Sequence, residues 1–329
     1  MDEKLAGLLS QYEPEITRAN RVKGAWILET VQGLKLFGSS PLGESKLAFE
    51  QKVKQYAREH GFPMVDCYVP TKEGNYLVTG PYGEGFVLRD WYAGEECDAQ
   101  KEEHVLLAAE TLARLHKSLT GLELSVQEQE IFAQPKVTQL LERRNRELRR
   151  VRAYIRGKKL KSNFEQKFLS QFSMQYAQAE KAVGLLDAEE YEACYEAALK
   201  QGKMLHGNFT HHSVLIGRDT TFVTGFHKTA TGIQVHDLYL LFRKVLEKWD
   251  WDVALGEKLM TAYEKVQPLS MEEKRLLLVL LSYPEKFWKV ANQYYNNRKS
   301  WIPEKNMQKL IQTMEQAEKK EETIQTLFT

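Results

Sequence analysis

Strand-like and helix-like patterns are unevenly divided along this 329-residue sequence, and that division most constrains its fold. Short apolar and aromatic runs typical of β-strands occupy residues 24–30, 34–39, 75–81 and 84–94. One amphipathic helical segment, residues 45–61, lies among them, and beyond Gly94 the helical period dominates. The pattern therefore predicts an α+β fold with a small β-rich lobe, residues 1–90, and a large, mainly helical lobe, residues 91–329.

One strand-like interruption breaks the helical part, in the stretch LHGNFTHHSVLIGRDTTFVTGFHK, residues 205–228. Two short apolar runs, Val214–Ile216 and Thr221–Thr224, flank a polar turn and predict a β-hairpin. A His-Gly turn precedes this hairpin. Because loops held by a rigid scaffold carry a large share of binding and catalytic residues, this stretch is the first candidate for a functional site.

The composition gives no sign of a membrane span or of a disulfide framework. The net charge is +1, so no global attraction to nucleic acid or to a membrane surface is expected. The three cysteines, Cys67, Cys97 and Cys194, are odd in number and far apart, which fits a reducing compartment. The longest strongly apolar run, Leu276–Leu281, is far too short to cross a bilayer. We therefore expect a soluble protein that is made in the cytoplasm.

A basic amphipathic helix is predicted near the middle of the chain. Residues 143–161 contain ten Lys or Arg and one acid, Glu147, while apolar residues recur at helical spacing. The arginines of this candidate interaction patch are Arg143, Arg144, Arg146, Arg149, Arg150, Arg152 and Arg156. The patch is either a solvated face or a docking surface for an acidic protein. Nucleic acid is a weaker candidate because no aromatic-rich RNA motif accompanies it, and a membrane is weaker still.

The order of these elements is similar to that of the protein-kinase-like fold of aminoglycoside and choline phosphotransferases. Lys35 lies on the second strand of a hairpin and Glu50 on the next helix, where kinases form the ion pair that positions the ATP phosphates. The triplet HGN at 206–208 resembles the His-Gly-Asp catalytic loop. The resemblance implies a bilobal protein-kinase-like fold. It also implies structural roles for His206, which hydrogen-bonds the loop backbone, and for Asp237, which holds that backbone.

Several longer stretches resemble the CotS-type spore-coat proteins, a branch of the aminoglycoside-phosphotransferase-like family. They are RDWYAGEE, LLERRNRELRRVRAYIRGKKLKSNFEQKFL, LHGNFTHHSVLI, VHDLYLLFRKVLEKWDWD and YPEKFWKVANQYYNNRKSW. Together they run from about Arg89 to Trp301, with a weaker match around Lys35. The resemblance rests on several segments that agree in order, and no single short motif carries it. It implies a component of sporulation that is assembled into the spore coat.

Three positions depart from the phosphotransferase pattern. Where that family has a proton-accepting Asp and an Asn and an Asp that hold Mg²⁺, this sequence has Asn208, Ser213 and Gly225. Mg²⁺ prefers carboxylate and carbonyl oxygens in near-octahedral geometry, and none of these side chains supplies a carboxylate. Loss of a general base alone costs roughly 10²–10⁴ in rate. The sequence therefore predicts an inactive site, and a CotS-like pseudokinase whose role is structural or in protein interaction.

Two other functions stay open at this point. The first is an atypical ATP-dependent small-molecule phosphotransferase, with metal ligands taken from elsewhere, such as His227 or Asp219. The second is a nucleotide or metabolite sensor that uses Lys35 and the connector between the lobes without Mg²⁺. A pair of Lys35 with Glu50 would fit a structural role as well as nucleotide binding. No Gly-rich phosphate loop separates the first two strands. We expect no cofactor turnover, so that any ATP would be bound without reaction.

The histidines are concentrated in the same region. Five of the eight fall between residues 206 and 236, and imidazole is a common ligand of transition metals. They are His206, His211, His212, His227 and His236. Because no Cys lies nearby and no HExxH spacing occurs, the sequence predicts no metal site.

Overall fold

The computed structural model describes residues 3–22, 24–296 and 303–329. Its first lobe is built on an antiparallel sheet of five strands in the order β1-β2-β3-β5-β4. The strands are β1 (Ile16–Val22), β2 (Ala25–Thr30), β3 (Gly33–Ser39), β4 (Val78–Thr79) and β5 (Gly85–Asp90). Because side chains alternate across a sheet, Leu88 packs with helix α1 (Glu3–Leu9) and its neighbour Val87 with helix α2 (Glu44–Glu59).

The second lobe is mainly helical. Its helices are α3 (Glu102–Ser118), α4 (Val126–Ile131), α5 (Val137–Gly157), α6 (Asn163–Gly184), α7 (Ala188–Lys200), α8 (Val235–Leu246), α9 (Val253–Glu264), α10 (Met271–Ser282), α11 (Glu285–Asn296), α12 (Pro303–Glu315) and α13 (Ala317–Phe328). Its short strands are β6 (Glu95–Glu96), β7 (Met204–Leu205), β8 (Val214–Ile216), β9 (Thr221–Val223) and β10 (Ala230–Thr231). The sheet β6-β8-β9 contains the predicted hairpin, and β7 pairs with β10.

One hydrophobic core joins the second lobe to helix α2 of the first. Phe49 and Val53 of α2 belong to the same apolar cluster as Leu112 of α3. The backbone is tied across the lobes as well, because the Val223 amide donates to the Met64 carbonyl at 2.9 Å. The predicted boundary at residue 90 coincides with the end of β5, and the apolar core crosses it.

The predicted α+β architecture, with a β-rich first lobe and a helical second lobe, is confirmed. Two elements at the start of the chain were not predicted, helix α1 and strand β1. Strand β1 reads ITRANRV and is largely exposed, so it lacks the alternation of apolar residues by which strands are recognised. Within the described residues, no helix is long and apolar enough to span a membrane.

Candidate functional site

The site is organised around the loop that follows β7, and Asp237 holds this loop in place. Its carboxylate accepts hydrogen bonds from the backbone N–H of His206 at 2.6 Å and of Gly207 at 2.8 Å. Asp237 is fully buried in the first turn of α8. Burial alone would raise its pKa, but the hydrogen bond from His116 holds the pKa of Asp237 below its ordinary value. The resemblance implied this contact, and the carboxylate stays ionised to make it.

His206 links the two ends of the candidate site. Its Nε2 lies 3.0 Å from the Thr224 carbonyl, and its Nδ1 accepts the Asn208 amide at 3.2 Å. Burial lowers the pKa of His206, which favours the neutral imidazole. In the neutral form Nε2–H donates to Thr224, and this leaves Nδ1 free to accept from Asn208. The ring therefore has a structural position between the loop and the hairpin.

His116, at the end of α3, is a site residue that the sequence gave no reason to select. Its Nε2 lies 3.3 Å from Asp237 and its Nδ1 lies 2.7 Å from the Tyr263 hydroxyl. All three side chains are buried. Helix α3 and helix α9 thereby support the same carboxylate that holds the loop. The contact joins residues more than a hundred positions apart, and such a pairing has no local sequence signal.

Asn208 and Ser213 hold each other within the loop. The Ser213 hydroxyl donates to the Asn208 carbonyl at 3.2 Å and accepts the Thr210 amide at 3.4 Å. The Ser213 carbonyl in turn accepts the Thr224 amide at 2.9 Å. The hydroxyl at the position of a family metal ligand therefore has backbone partners in this chain.

Gly225 lies at the start of the segment after β9, with φ of +87°. A Cβ built on this residue would meet no atom within 4 Å. Its amide donates to the Asp66 carboxylate at 3.3 Å. The position thus retains space for a side chain, and its backbone is attached to a carboxylate of the first lobe.

A buried network of alternating charges lies beside Gly225. Lys54 Nζ is 2.7 Å from the Glu50 carboxylate and 3.1 Å from Asp66, and Arg89 is 2.9 Å from Asp66. Lys54, Glu50 and Asp66 are at most 1% exposed. Two cations balance two carboxylates, so the network is neutral as a unit. Buried charges arranged in this way stabilise the fold only while every partner is present.

The predicted Lys35–Glu50 ion pair is wrong. Lys35 Nζ binds Asp90 at 2.6 Å, whereas Glu50 pairs with Lys54. Lys35 and Asp90 are directly opposite each other on β3 and β5, so their contact is a cross-strand pair. Lys54 stands four residues after Glu50 on α2, a spacing at which charged side chains of a helix meet, and this signal was available in the sequence.

A cavity of about 320 Å³ opens against this network. Its lining includes Glu50, Tyr68, Arg89, Gly225 and His227, together with the chain from Gly38 to Leu42. Burial lowers the pKa of His227, which keeps its imidazole neutral near pH 7. Lys35 is not among the lining residues. Pockets of a few hundred Å³ with a mixed polar and apolar lining have the size of small-molecule sites.

The five clustered histidines make different contacts, and the ring of His236 lies against Tyr239. His206 belongs to the loop, His227 lines the cavity, and His212 pairs with Glu96. His211 Nε2 accepts from Lys248 at 3.0 Å. Among the residues that the structure describes, no three His, Cys, Asp or Glu side chains converge as a metal site would require.

The predicted basic helix is α5, and its arginines have two different environments. Arg143, Arg146, Arg149, Arg150 and Arg156 are exposed.

Arg144 is not available for docking, contrary to its place in the predicted patch. It binds Glu285 at 2.5 Å with only 11% of its side chain exposed, and it lies over the Trp288 ring. Arg152 is half-buried, over the ring of Phe172. The candidate interaction patch therefore consists of the five exposed arginines, while Arg144 belongs to the interior.

Comparison with known proteins supports this layout. A family model described as "Spore coat putative kinase YutH" matches residues 32–327. Spore coat protein S of Bacillus subtilis (strain 168) is 24% identical over 285 residues, which are 85% of this chain and 80% of that protein. The last predicted stretch of resemblance extends over residues 297–301, which lie outside the described residues.

Solved structures identify the fold. The structure of an aminoglycoside phosphotransferase from Alicyclobacillus acidocaldarius superposes with a TM-score of 0.84 at 21% identity, covering 98% of this chain and 94% of that one. The spectinomycin phosphotransferase APH(9)-Ia, in complex with ADP and spectinomycin, gives a TM-score of 0.66 at 10% identity, covering 97% and 94%. The predicted protein-kinase-like bilobal fold of the phosphotransferase type is thereby confirmed.

Proposed function

The chain belongs to the YutH family of spore-coat kinase-like proteins, and we propose that it acts as a non-catalytic pseudokinase assembled into the spore coat. One observation carries the proposal. Asn208, Ser213 and Gly225 occupy the positions where phosphotransferases have their proton-accepting Asp and their Mg²⁺ ligands. Phosphoryl transfer depends mainly on charge neutralisation by the metal, so these replacements remove the principal source of catalysis.

The surroundings of Gly225 support the same conclusion. Asp66 is a carboxylate in contact with this position, and both Lys54 and Arg89 bind it. A divalent cation would have to displace two buried ion pairs to reach it, which leaves Lys54 and Arg89 without their partner. Asp66 is therefore already paired, and this argues against an atypical phosphotransferase that would use its carboxylate as a metal ligand.

The test is thermal unfolding of the full chain with ATP, once with Mg²⁺ and once with EDTA. A ligand at a hundred times its Kd stabilises a protein by about 2.7 kcal/mol, which is readable as a shift of several degrees. We expect no shift that depends on Mg²⁺. A Mg²⁺-dependent shift, followed by slow ATP hydrolysis, would contradict the pseudokinase.

A matched variant makes the negative result informative. Asn208→Asp, Ser213→Asn and Gly225→Asp together restore the family residues, and the space at Gly225 admits the new side chain. We expect this triple variant to gain a Mg²⁺-dependent ATP shift that the natural chain lacks. If neither protein responds, the nucleotide cleft itself has changed, which also argues against catalysis in the natural chain.

The cavity beside Glu50 favours a second candidate function, that of a metal-independent ligand sensor. Of its polar groups, Glu50 and Arg89 belong to the charge-balanced network, and His227 lines the cavity beside them. An ATP or metabolite shift that survives EDTA, and that Val87→Phe abolishes by filling the cavity, would establish this function. Val87 lines the cavity, and Leu88 beside it faces the opposite side of the sheet and provides the position for a control, Leu88→Phe.

The five exposed arginines of α5 form the proposed protein-interaction surface, and acidic surfaces of other coat components are the proposed partners. Arg146→Glu with Arg150→Glu reverses charge at two exposed positions without touching the core. We expect the natural chain to bind immobilised polyglutamate in a salt-dependent manner and the variant to elute earlier. Tighter retention on DNA than on polyglutamate would contradict the choice of partner.

Placement in the coat is tested by fractionation of spores that produce a tagged copy of this chain. We expect the tagged chain in the coat extract. Recovery from the spore core alone would contradict the proposed location.

A further inference from the structure

A second charged cluster lies between α8, α11 and the C-terminal helices, outside the cavity at Glu50. Four of its cations, Arg144, Arg243, Lys286 and Lys320, are buried or half-buried, and the side chain of Lys289 beside them is 44% exposed. Two carboxylates lie among them, Glu247 and Glu285, both poorly exposed. The four poorly exposed cations and two carboxylates leave two positive charges without a balancing acid within this cluster. Burial of uncompensated charge is costly, so the excess calls for a partner.

Arg243 has hydrogen-bond donors without partners. Its Nη1 binds Glu247 at 2.7 Å, but Nε and Nη2 are buried and donate to no atom in the described part of the chain. The residue is only 4% exposed. Buried charged donors left in this state cost more than neutral ones, and native structures pair them with protein, water or an ion.

Arg243 lines a small cavity, of about 40 Å³, that receives groups from several helices. Lys286 and the first turn of α11 line one side, and Lys320 of α13 lines another. Lys320 donates to the carbonyls of Ser282 at 3.3 Å and Tyr283 at 3.0 Å. These bonds give the ammonium hydrogens acceptors but supply no negative charge. The start of a helix adds further positive potential. The volume admits a monatomic ion or a few water molecules and excludes larger anions.

The protonation of the lysines sustains the positive charge near neutral pH. Burial lowers the pKa of Lys320 to about 8, against the opposing effect of Glu247 and Glu285 and in the same direction as Arg243. Burial also lowers the pKa of Lys289 to about 8, with Arg243 and Lys244 acting in the same direction and Glu285 against them. Both ammonium groups are therefore mainly charged at pH 7 and lose charge as the pH rises through 8.

We propose that the cavity beside Arg243 binds one monovalent inorganic anion, chloride under ordinary conditions. Water would satisfy the free donors of the guanidinium without supplying charge, whereas an anion satisfies the same donors and reduces the excess positive charge by one. The ion links Arg243 of α8 to the start of α11 and to α13, so it fastens the C-terminal helices to the helical lobe. This site is independent of the proposed function, because it lies outside the loop and the cavity described above.

The solution test exchanges chloride for gluconate at constant ionic strength and follows thermal unfolding of the full chain. Chloride and bromide should raise the unfolding midpoint in a saturable manner, while gluconate is too large to enter the cavity. The effect should weaken as the pH rises above 8, since Lys320 and Lys289 then lose charge. A midpoint that is indifferent to the anion at pH 7 would overturn the proposal.

Arg243→Met removes the free donors and should abolish the chloride dependence, whereas the exposed Arg156→Met should keep it. Because the buried variant risks failing to fold, the natural chain is also crystallised in bromide. An anomalous peak in the cavity, in contact with Arg243, is the expected result. A cavity occupied by water in those crystals, with no bromide peak, would overturn the proposal whatever the variants do.

Discussion

At the scale of single residues, Gly207 and Gly225 both have a left-handed backbone but differ in the space available for a side chain. Gly207 has φ of +77° and Gly225 φ of +87°. A Cβ on Gly207 would lie 1.9 Å from the Lys228 carbonyl oxygen, whereas a Cβ on Gly225 meets no atom within 4 Å. The two positions therefore share a conformational strain but differ in steric clash.

We expect Gly225→Ala to cost about 1–2 kcal/mol, the penalty of a left-handed backbone for an L-residue. Gly207→Ala should cost clearly more, because the Lys228 backbone must move and the loop that Asp237 holds moves with it. Urea unfolding of both variants measures the difference. Equal losses of stability would show that the loop adapts freely at Gly207.

His211 makes stability depend on pH. Burial lowers its pKa to about 4, with the charges of His212, Lys248 and Lys244 acting in the same direction and Glu96 against them. The unfolded chain takes up this proton near pH 6.5, well before the folded chain does, so stability falls as the pH drops from 6.5 towards 4. Each pH unit in this window contributes up to about 1.4 kcal/mol.

We expect His211→Asn to reduce the slope of the stability curve between pH 4 and 6.5 without abolishing it, because burial also lowers the pKa of His206 and His227. His60 is exposed, so His60→Asn provides the control and should leave the slope unchanged. Urea unfolding at a series of pH values gives the slopes. The expected effect of His211 is refuted if both variants retain the natural slope.

At the scale of elements, α5 combines a buried and an exposed basic side. Arg144 binds Glu285, which is only 3% exposed, while Arg143 lies 3.8 Å from Glu147 on the solvent side. Breaking a buried pair leaves a charge without its partner, whereas exposed pairs contribute little.

Arg144→Met should therefore destabilise the protein by about 3 kcal/mol. Arg143→Met, one residue away on the same helix, should change stability by less than about 0.5 kcal/mol. Chemical unfolding compares the two directly. Similar values would mean that Lys289, which also contacts Glu285 at 3.2 Å, compensates for the missing guanidinium.

Local patterns in the sequence predicted much of the fold at this scale. The apolar residues that recur at helical spacing in the basic segment include Leu148 and Ile155, which α5 buries as expected. The partner of Lys35 was not predictable, because it depends on the register of β3 against β5 across a long stretch of chain. The same limit hid His116 and Asp66, whose roles arise only from contacts between distant elements.

At the scale of the whole molecule, the two lobes share structure rather than meeting at a loose hinge. Helix α2 contributes Phe49 and Val53 to the main core, and Phe49 stacks on Phe132 with a ring distance of 3.6 Å. Lys52 binds Glu128 at 2.8 Å near the same contact. The β-rich lobe is thus packed against the helical lobe along α2.

We expect a single cooperative unfolding transition, because loss of either lobe would expose the shared core. Calorimetry should give equal calorimetric and van't Hoff enthalpies, and near- and far-ultraviolet circular dichroism should report the same midpoint. Two resolved transitions would show that the lobes unfold independently and that the shared core contributes little.

The hydrogen bonds at Met64 and Asp66 also have a mechanical consequence. Met64 and Asp66 bind the segment from Val223 to Gly225, so the lobes are joined by a backbone hydrogen bond and a carboxylate within a short length of chain. A force that pulls the lobes apart must break these links together and not one after another. The two lobes should therefore extend under load as one body until both links break.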